Sequence, residues 1–143
     1  MFIHVESTPT EEDREWVHQR LIDFNRARFE VGQSFPVAVF VDDDDGIRQG
    51  GLTGRTFGNW LMIEYFWLAE DTRGQGYGSK LLAALEQEAI QRGCRFAMLD
   101  TLDFQAKPFY EKQGYRVVYT MDAYPQLGKR HYMVKEFAVE GAR

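Results

Sequence analysis

The sequence predicts one α/β domain built on a mixed sheet, and three observations carry that prediction. Apolar runs and period-two stretches alternate with stretches of three-to-four periodicity along the whole chain. Both hairpin signals and helical crossovers join the strands, which calls for antiparallel and parallel neighbours in one sheet. The 143 residues fit a single domain over 1–143. A domain of that size buries roughly 68–70% of its unfolded surface and needs no disulfide or metal to hold a core.

Taken in order, "FIHVES" (2–7) alternates and predicts a first strand. Residues 8–29 predict a helix. Thr8 or Thr10 can cap it, Glu11, Glu12 and Asp13 suit its positive end, and Trp16, Val17, Leu21, Phe24 and Arg28 fall on one stripe. "FPVAVFV" (35–41) is an apolar strand that "DDDDG" breaks, with Asp45-Gly46 as the turn signal. Residues 47–59 return from that turn, and Gly50, Gly51 and Gly54 suggest a bulge or a close approach. "WLMIEYFWL" (60–68) is almost wholly apolar and predicts a strand covered on both faces.

A helix follows from about Gly78 to Arg92, with Leu81, Leu82, Leu85 and Ala89 as its buried stripe and Gly93 just past its end. "CRFAMLDT" (94–101) is another buried strand. Residues 104–113 predict a short helix whose Pro108 must lie in its first turn and which Gly114 ends. Residues 115–121 and 130–137 are the last strands, joined by the turn-rich "DAYPQLGK". The expected order is β-α-β-β-β-α-β-α-β-β.

The net charge of −5 disfavours nucleic acid, whose phosphates call for a basic surface, and suits a cationic partner. The four aspartates at 42–45 read as a solvated hairpin tip. One cysteine, Cys94, permits no internal disulfide and reads as a buried thiol. His4, His18 and His131 show no metal-ligand spacing, so no metal is expected. With no signal peptide and no apolar run of about 18 residues, a cytoplasmic protein without membrane association is expected.

The informative stretch is "RGQGYGSKLL" (73–82), where Gly74, Gly76 and Gly78 take alternate positions at the start of a helix. Glycine there costs helix stability, so something must come close to the backbone. Strand, glycine loop and helix N-terminus together form an anion site, because the first helical amides lack internal partners and carry partial positive charge. Arg73 and Lys80 add charge in an acidic chain. The pattern predicts a pyrophosphate ligand. It lacks the Gly-Lys-Ser/Thr ending of a nucleoside triphosphate loop and the G-x-G-x-x-G of a dinucleotide fold.

The pattern Arg73-x-x-Gly76-x-Gly78, between an apolar strand and a Leu-Leu helix, resembles the acyl-CoA signature of the GNAT superfamily of N-acetyltransferases. "QAKPFYEKQGYRV" resembles the superfamily's Ala-x-x-x-Tyr-x-x-x-Gly-Phe/Tyr segment, matched by Ala106, Tyr110, Gly114 and Tyr115. The element order over about 2–137 agrees. The chain departs from the pattern at Asp103, where many members carry an Asn that contacts the cofactor's pantetheine arm. The resemblance implies an α+β fold with a central, mixed, mostly antiparallel sheet flanked by helices. It also implies a V-shaped splay between the fourth and fifth expected strands, 60–68 and 94–101.

The resemblance further implies roles. Amides of Arg73, Gly74, Gln75, Gly76, Tyr77, Gly78 and Ser79 would hold the pyrophosphate of acetyl-CoA. The backbone of Phe66, Trp67 and Leu68 would pair with its amide arm, and Asp103, Ala106 and Phe109 would lie beside that arm. Tyr110 would protonate or hydrogen-bond the departing thiolate. On its residue type alone Tyr110 is equally a core tyrosine. Glu64 is the sole charge in "WLMIEYFWL". It is either the carboxylate that takes the amine's proton through water or a glutamate held in a salt bridge. Asp100, at the end of its strand, is also expected near the cleft.

The expected activity is transfer of acetyl from acetyl-CoA to a primary amine of a cationic small molecule or peptide. The bulk of Phe66, Trp67 and Phe109 disfavours a longer acyl group. The alternative is a non-catalytic acyl-CoA-binding regulatory module, against which the retained Tyr110 argues. The expected partners are acetyl-CoA and an amine, and the resemblance allows a homodimer.

Overall fold

The computed structural model describes residues 1–30 and 32–138. They divide into two compact units, residues 1–33 and residues 34 onward.

The first unit holds α1 (Glu11–Arg26). Thr10 caps it through a reciprocal pair: the Asp13 amide donates to Thr10 Oγ1 at 3.1 Å, and the Thr10 amide donates to the Asp13 carboxylate at 2.9 Å. None of its residues is buried. The expected apolar stripe is exposed at Trp16, Val17, Leu21 and Phe24, and two of its rings carry a cation: the guanidinium of Arg20 lies 3.8 Å over the Trp16 ring and that of Arg28 3.8 Å over Phe24. The strand expected at 2–7 is absent, and Phe2, Ile3 and Val5 are exposed. Alternation sets which side chains share a face but does not by itself secure a pairing partner.

The second unit holds the sheet. Its strands are β1 (Phe35–Asp42), β2 (Arg48–Phe57), β3 (Trp60–Leu68), β4 (Phe96–Leu102), β5 (Arg116–Asp122) and β6 (Lys129–Glu136), in the order β1-β2-β3-β4-β6-β5. All neighbours are antiparallel except β3 and β4. The fold is therefore α+β with a mixed, mostly antiparallel sheet, as expected. α2 (Tyr77–Gln91) and α3 (Lys107–Lys112) complete the unit.

The core lies between α2 and the sheet. Leu82 and Leu85 of α2 meet Leu52, Leu61 and Met133, all fully buried. Each such side chain contributes about 1.5–3 kcal/mol of transfer free energy. The stripe Leu81, Leu82, Leu85 and Ala89 is buried as read from its spacing. β3 departs from expectation. Leu61 and Ile63 are buried and Met62 exposed, and past an irregularity at Glu64 the phase reverses, leaving Tyr65 and Trp67 77% and 60% exposed. An unbroken apolar run signals burial on both faces only if a layer covers each, and here composition outran packing.

Candidate active site

The parallel ladder between β3 and β4 is short. It pairs Trp60 with Phe96, Leu61 with Ala97 and Met62 with Met98, and then stops. Beyond it, Ile63–Leu68 of β3 and Leu99–Thr101 of β4 line a cavity of about 520 Å³. This is the splay expected between residues 60–68 and 94–101. It leaves the β4-facing backbone edge of β3 without a ladder partner over that stretch.

A bulge shapes the β3 wall. Thr53 pairs with Tyr65 and Gly54 with Ile63, so Glu64 has no residue opposite it. The bulge places Glu64 on the cavity, with Phe66, Trp67 and Leu68 following along the same wall. Arg73 closes this end, its Nε donating to the Leu68 carbonyl at 3.0 Å.

The glycine loop enters α2 with left-handed backbone at Gly74 (φ 76°) and Gly76 (φ 84°), the latter being the N-cap residue. Among the described residues no side chain caps this helix, and no acidic residue lies in its first turn. The first amides of α2 are thus left for another acceptor. Gly78 answers a different need: a Cβ there would lie 3.2 Å from Phe66 Cζ and 3.4 Å from the Phe109 ring. Gln113 Nε2 donates to Ser79 Oγ at 3.2 Å and ties the start of α2 to the end of α3.

The opposite wall carries Ala106 and Tyr110. Pro108 sits in the first turn of α3, where its missing N–H costs nothing. Tyr110 is 6% exposed, edge-on to both Phe109 and Tyr115, and burial pushes its phenol up to about 12. It stays protonated across the neutral range.

The structure therefore brings Glu64, Phe66, Trp67, Leu68, Arg73, Ala106 and Tyr110 to one cavity. Phe109 joins through its stack on Phe66. Asp103 does not join. It lines a separate cavity with Phe104, Tyr124 and Leu127, and its amide donates to the Lys129 carbonyl at 3.1 Å. Gln105 faces the splay in its place. The Gln105 side-chain oxygen accepts from the Leu102 amide at 2.7 Å and from Thr101 Oγ1 at 3.2 Å. No spacing in "TLDFQA" distinguishes Gln105 from its polar neighbours. Among the described residues no cluster of side chains could hold a metal ion. No described helix is long and apolar enough to cross a membrane.

The chain matches the family model "Acetyltransferase (GNAT) family" over residues 3–115. The chain belongs to the GNAT acetyltransferase family. It is similar to an acetyltransferase of Agrobacterium fabrum, 36% identical over 99 residues, covering 69% of this chain and 72% of that protein. It is also similar to the blasticidin-S acetyltransferase of Streptomyces morookaense, 36% identical over 100 residues, covering 69% of this chain and 74% of that one. A crystal structure of an acetyltransferase from Bacillus cereus superposes with a TM-score of 0.85 at 31% identity, over 94% of this chain and 98% of the other. The protein is an acyltransferase acting with acetyl-CoA, and the resemblance read from Arg73–Gly78 and Ala106–Tyr115 holds.

Proposed function

We propose that this acetyltransferase moves the acetyl group of acetyl-CoA directly to a primary amine of a small cationic acceptor. One observation carries the reading. Tyr110 and Glu64 stand on the two walls of a single cavity, which opens where β3 loses its parallel partner and beside a helix that no described side chain caps.

The residues present fit acetyl-CoA. The unpaired edge of Phe66–Leu68 suits an amide arm that adds like a strand. The amides from Gly74 to Ser79, with the Arg73 and Lys80 charges, suit its pyrophosphate, whereas the Arg73 amide is taken by the Glu70 carbonyl at 3.2 Å. Asp103, facing away, is given no part in holding it, and Gln105 is the polar side chain beside the arm. When bound, acetyl-CoA supplies an activated thioester.

The chain's own residues then do three things. The β3 backbone orients the acyl group for attack. Glu64 takes the amine's proton through a water, restoring the nitrogen lone pair. The C–N bond forms as the C–S bond breaks: Tyr110 Oη gives its proton to the departing sulfur, and the proton that the nitrogen sheds once the C–N bond has formed returns through water to Tyr110. No acyl-enzyme is required, and Cys94 cannot serve as one: it is buried, its thiol pushed up by burial, with Sγ donating to the Gly58 carbonyl at 3.5 Å.

The small cationic acceptor is supported by the cavity carboxylates Glu64 and Asp100 and by the relative named for blasticidin S. The family model spans both compact units, which supports reading residues 1–143 as one transferase domain. The test is calorimetric titration with acetyl-CoA, CoA and 3′-dephospho-CoA, followed by thiol release across an amine library. One-to-one acetyl-CoA binding with release of CoA on amine addition is expected. Binding without thiol release for any amine would overturn the transfer step.

A further inference from the structure

Asp100 is the second carboxylate on the cavity, and its surroundings are unusually constrained. It projects from β4 beside the splay with its side chain 41% exposed. Arg130, across the sheet on β6, donates to it from Nε at 2.9 Å, and its Nη2 lies 2.9 Å from the same oxygen, Oδ1. Both contacts use one carboxylate oxygen, and among the described residues Oδ2 accepts no hydrogen bond.

Arg130 has further partners of its own. Its Nη1 donates to Tyr124 Oη at 3.2 Å, and the guanidinium lies 5.3 Å from the ring centroids of both Tyr124 and Tyr132. A long side chain gives up rotamer entropy when it is fixed this way. An exposed ion pair returns little of that. The arrangement holds one carboxylate at one angle beside a cavity.

Resting on the transfer reading above, we propose that Asp100 is a specificity residue anchoring a second cationic group of the acceptor, and that Arg130, Tyr124 and Tyr132 position it. The acceptor class is then a di- or polyamine: one nitrogen is acetylated between Glu64 and Tyr110, and another is held as an ammonium on Asp100 Oδ2. An acidic cavity alone would favour any cation. A carboxylate fixed in direction by a guanidinium favours one whose two nitrogens match a set distance.

The experiment compares initial rates of thiol release for α,ω-diaminoalkanes of three to six carbons with those for n-alkylamines of the same lengths. The wild-type enzyme is expected to prefer diamines in kcat/KM by about tenfold or more at one best length, as one charged hydrogen bond implies. Asp100→Asn should bring the diamine-to-monoamine ratio toward one, through KM for the diamine. Arg130→Met should lower the ratio and Arg130→Lys should partly restore it. Tyr124→Phe, which removes only one hydroxyl, should lower it less. A merely structural pin between β4 and β6 would change both amines alike and leave the ratio untouched, and that result overturns the inference. So does a wild-type enzyme that uses diamines and monoamines equally, which leaves acetyl transfer standing. Absence of thiol release with every amine, alongside intact acetyl-CoA binding, overturns the transfer reading and this inference with it.

Discussion

Phe109 of α3 stacks on Phe66 of β3, with ring centroids 5.9 Å apart and planes 23° from parallel, and Gly78 of α2 lies against both rings. Three elements meet there, so the third glycine of the loop is a packing residue while the first two are conformational ones. The two kinds should separate by mutation. Gly78→Ala gains up to about 1 kcal/mol of helix propensity. It also presses on the Phe66 ring, which borders the cavity. Denaturant midpoints should barely move, while calorimetry should show acetyl-CoA binding weakened by about tenfold. Unchanged affinity would remove the link between this stack and the cofactor site.

Gly76→Ala should behave in the opposite way. A Cβ there meets nothing within 4 Å, but φ is 84°. A left-handed alanine costs about 1–2 kcal/mol. Urea unfolding should report that loss, and relaxation of the strained turn should also misplace the amides of α2 and weaken acetyl-CoA.

Tyr110 links stability and catalysis through one proton. Burial raises its folded phenol from about 10 to about 12. Its contribution is therefore fully present below pH 10 and is lost as pH rises through about 12, each pH unit in that window removing roughly 1.4 kcal/mol. Burial also raises Tyr115, further aided by the Glu86 carboxylate beside it. The protein should unfold progressively above pH 10 in denaturation curves, and Tyr110→Phe should remove part of that slope. The same substitution should lower kcat by about 10²–10⁴ while acetyl-CoA affinity stays within a few-fold. A kcat that survives intact would leave Tyr110 as a core residue.

The parts of the molecule readable from sequence were those governed by local rules. The bounds of β3, Gly93 and Gly114 after their helices with φ of 95° and 94°, and Pro108 in a first turn all follow from backbone chemistry. The cavity lining was readable at Arg73, Ala106 and Tyr110, which lie in contiguous motifs. What stayed hidden depends on partners distant in sequence. The Asp100–Arg130 pair spans 30 residues and the Glu86–Lys135 pair 49. The outward turn of Asp103 depends on where Lys129 and Gly128 lie. The strand expected at 2–7 had the right alternation, yet those residues pair with no strand.

Glu86 is the polar residue that the apolar stripe of α2 concealed. It accepts from Tyr115 Oη at 2.7 Å and from Lys135 Nζ at 2.8 Å, which ties α2 to the β5 and β6 side of the sheet. Glu86→Ala should cost about 1–3 kcal/mol, because it leaves the buried Tyr115 phenol without its acceptor and the half-buried Lys135 ammonium without its partner. The combined change Glu86→Met, Lys135→Met and Tyr115→Phe should recover most of that loss, since no polar group is then left without a partner. Urea midpoints for the single and triple variants decide it. A triple variant no more stable than the single one would mean that the network holds packing which apolar side chains cannot replace.

Thr53 makes the opposite case. Its hydroxyl is buried and, among the described residues, has no hydrogen-bond partner. It sits on β2 opposite Tyr65, beside the bulge that places Glu64 on the cavity. A buried hydroxyl without a partner costs about 1–3 kcal/mol. Thr53→Val keeps the branched shape and deletes the hydroxyl, so it should raise stability by about 1 kcal/mol in chemical denaturation. If stability rises while kcat with a good amine is unchanged, the hydroxyl is a structural cost without a catalytic return. If stability rises and kcat falls, the hydroxyl serves the bulge during turnover, and the pH profile of the variant should show whether it acts through Glu64.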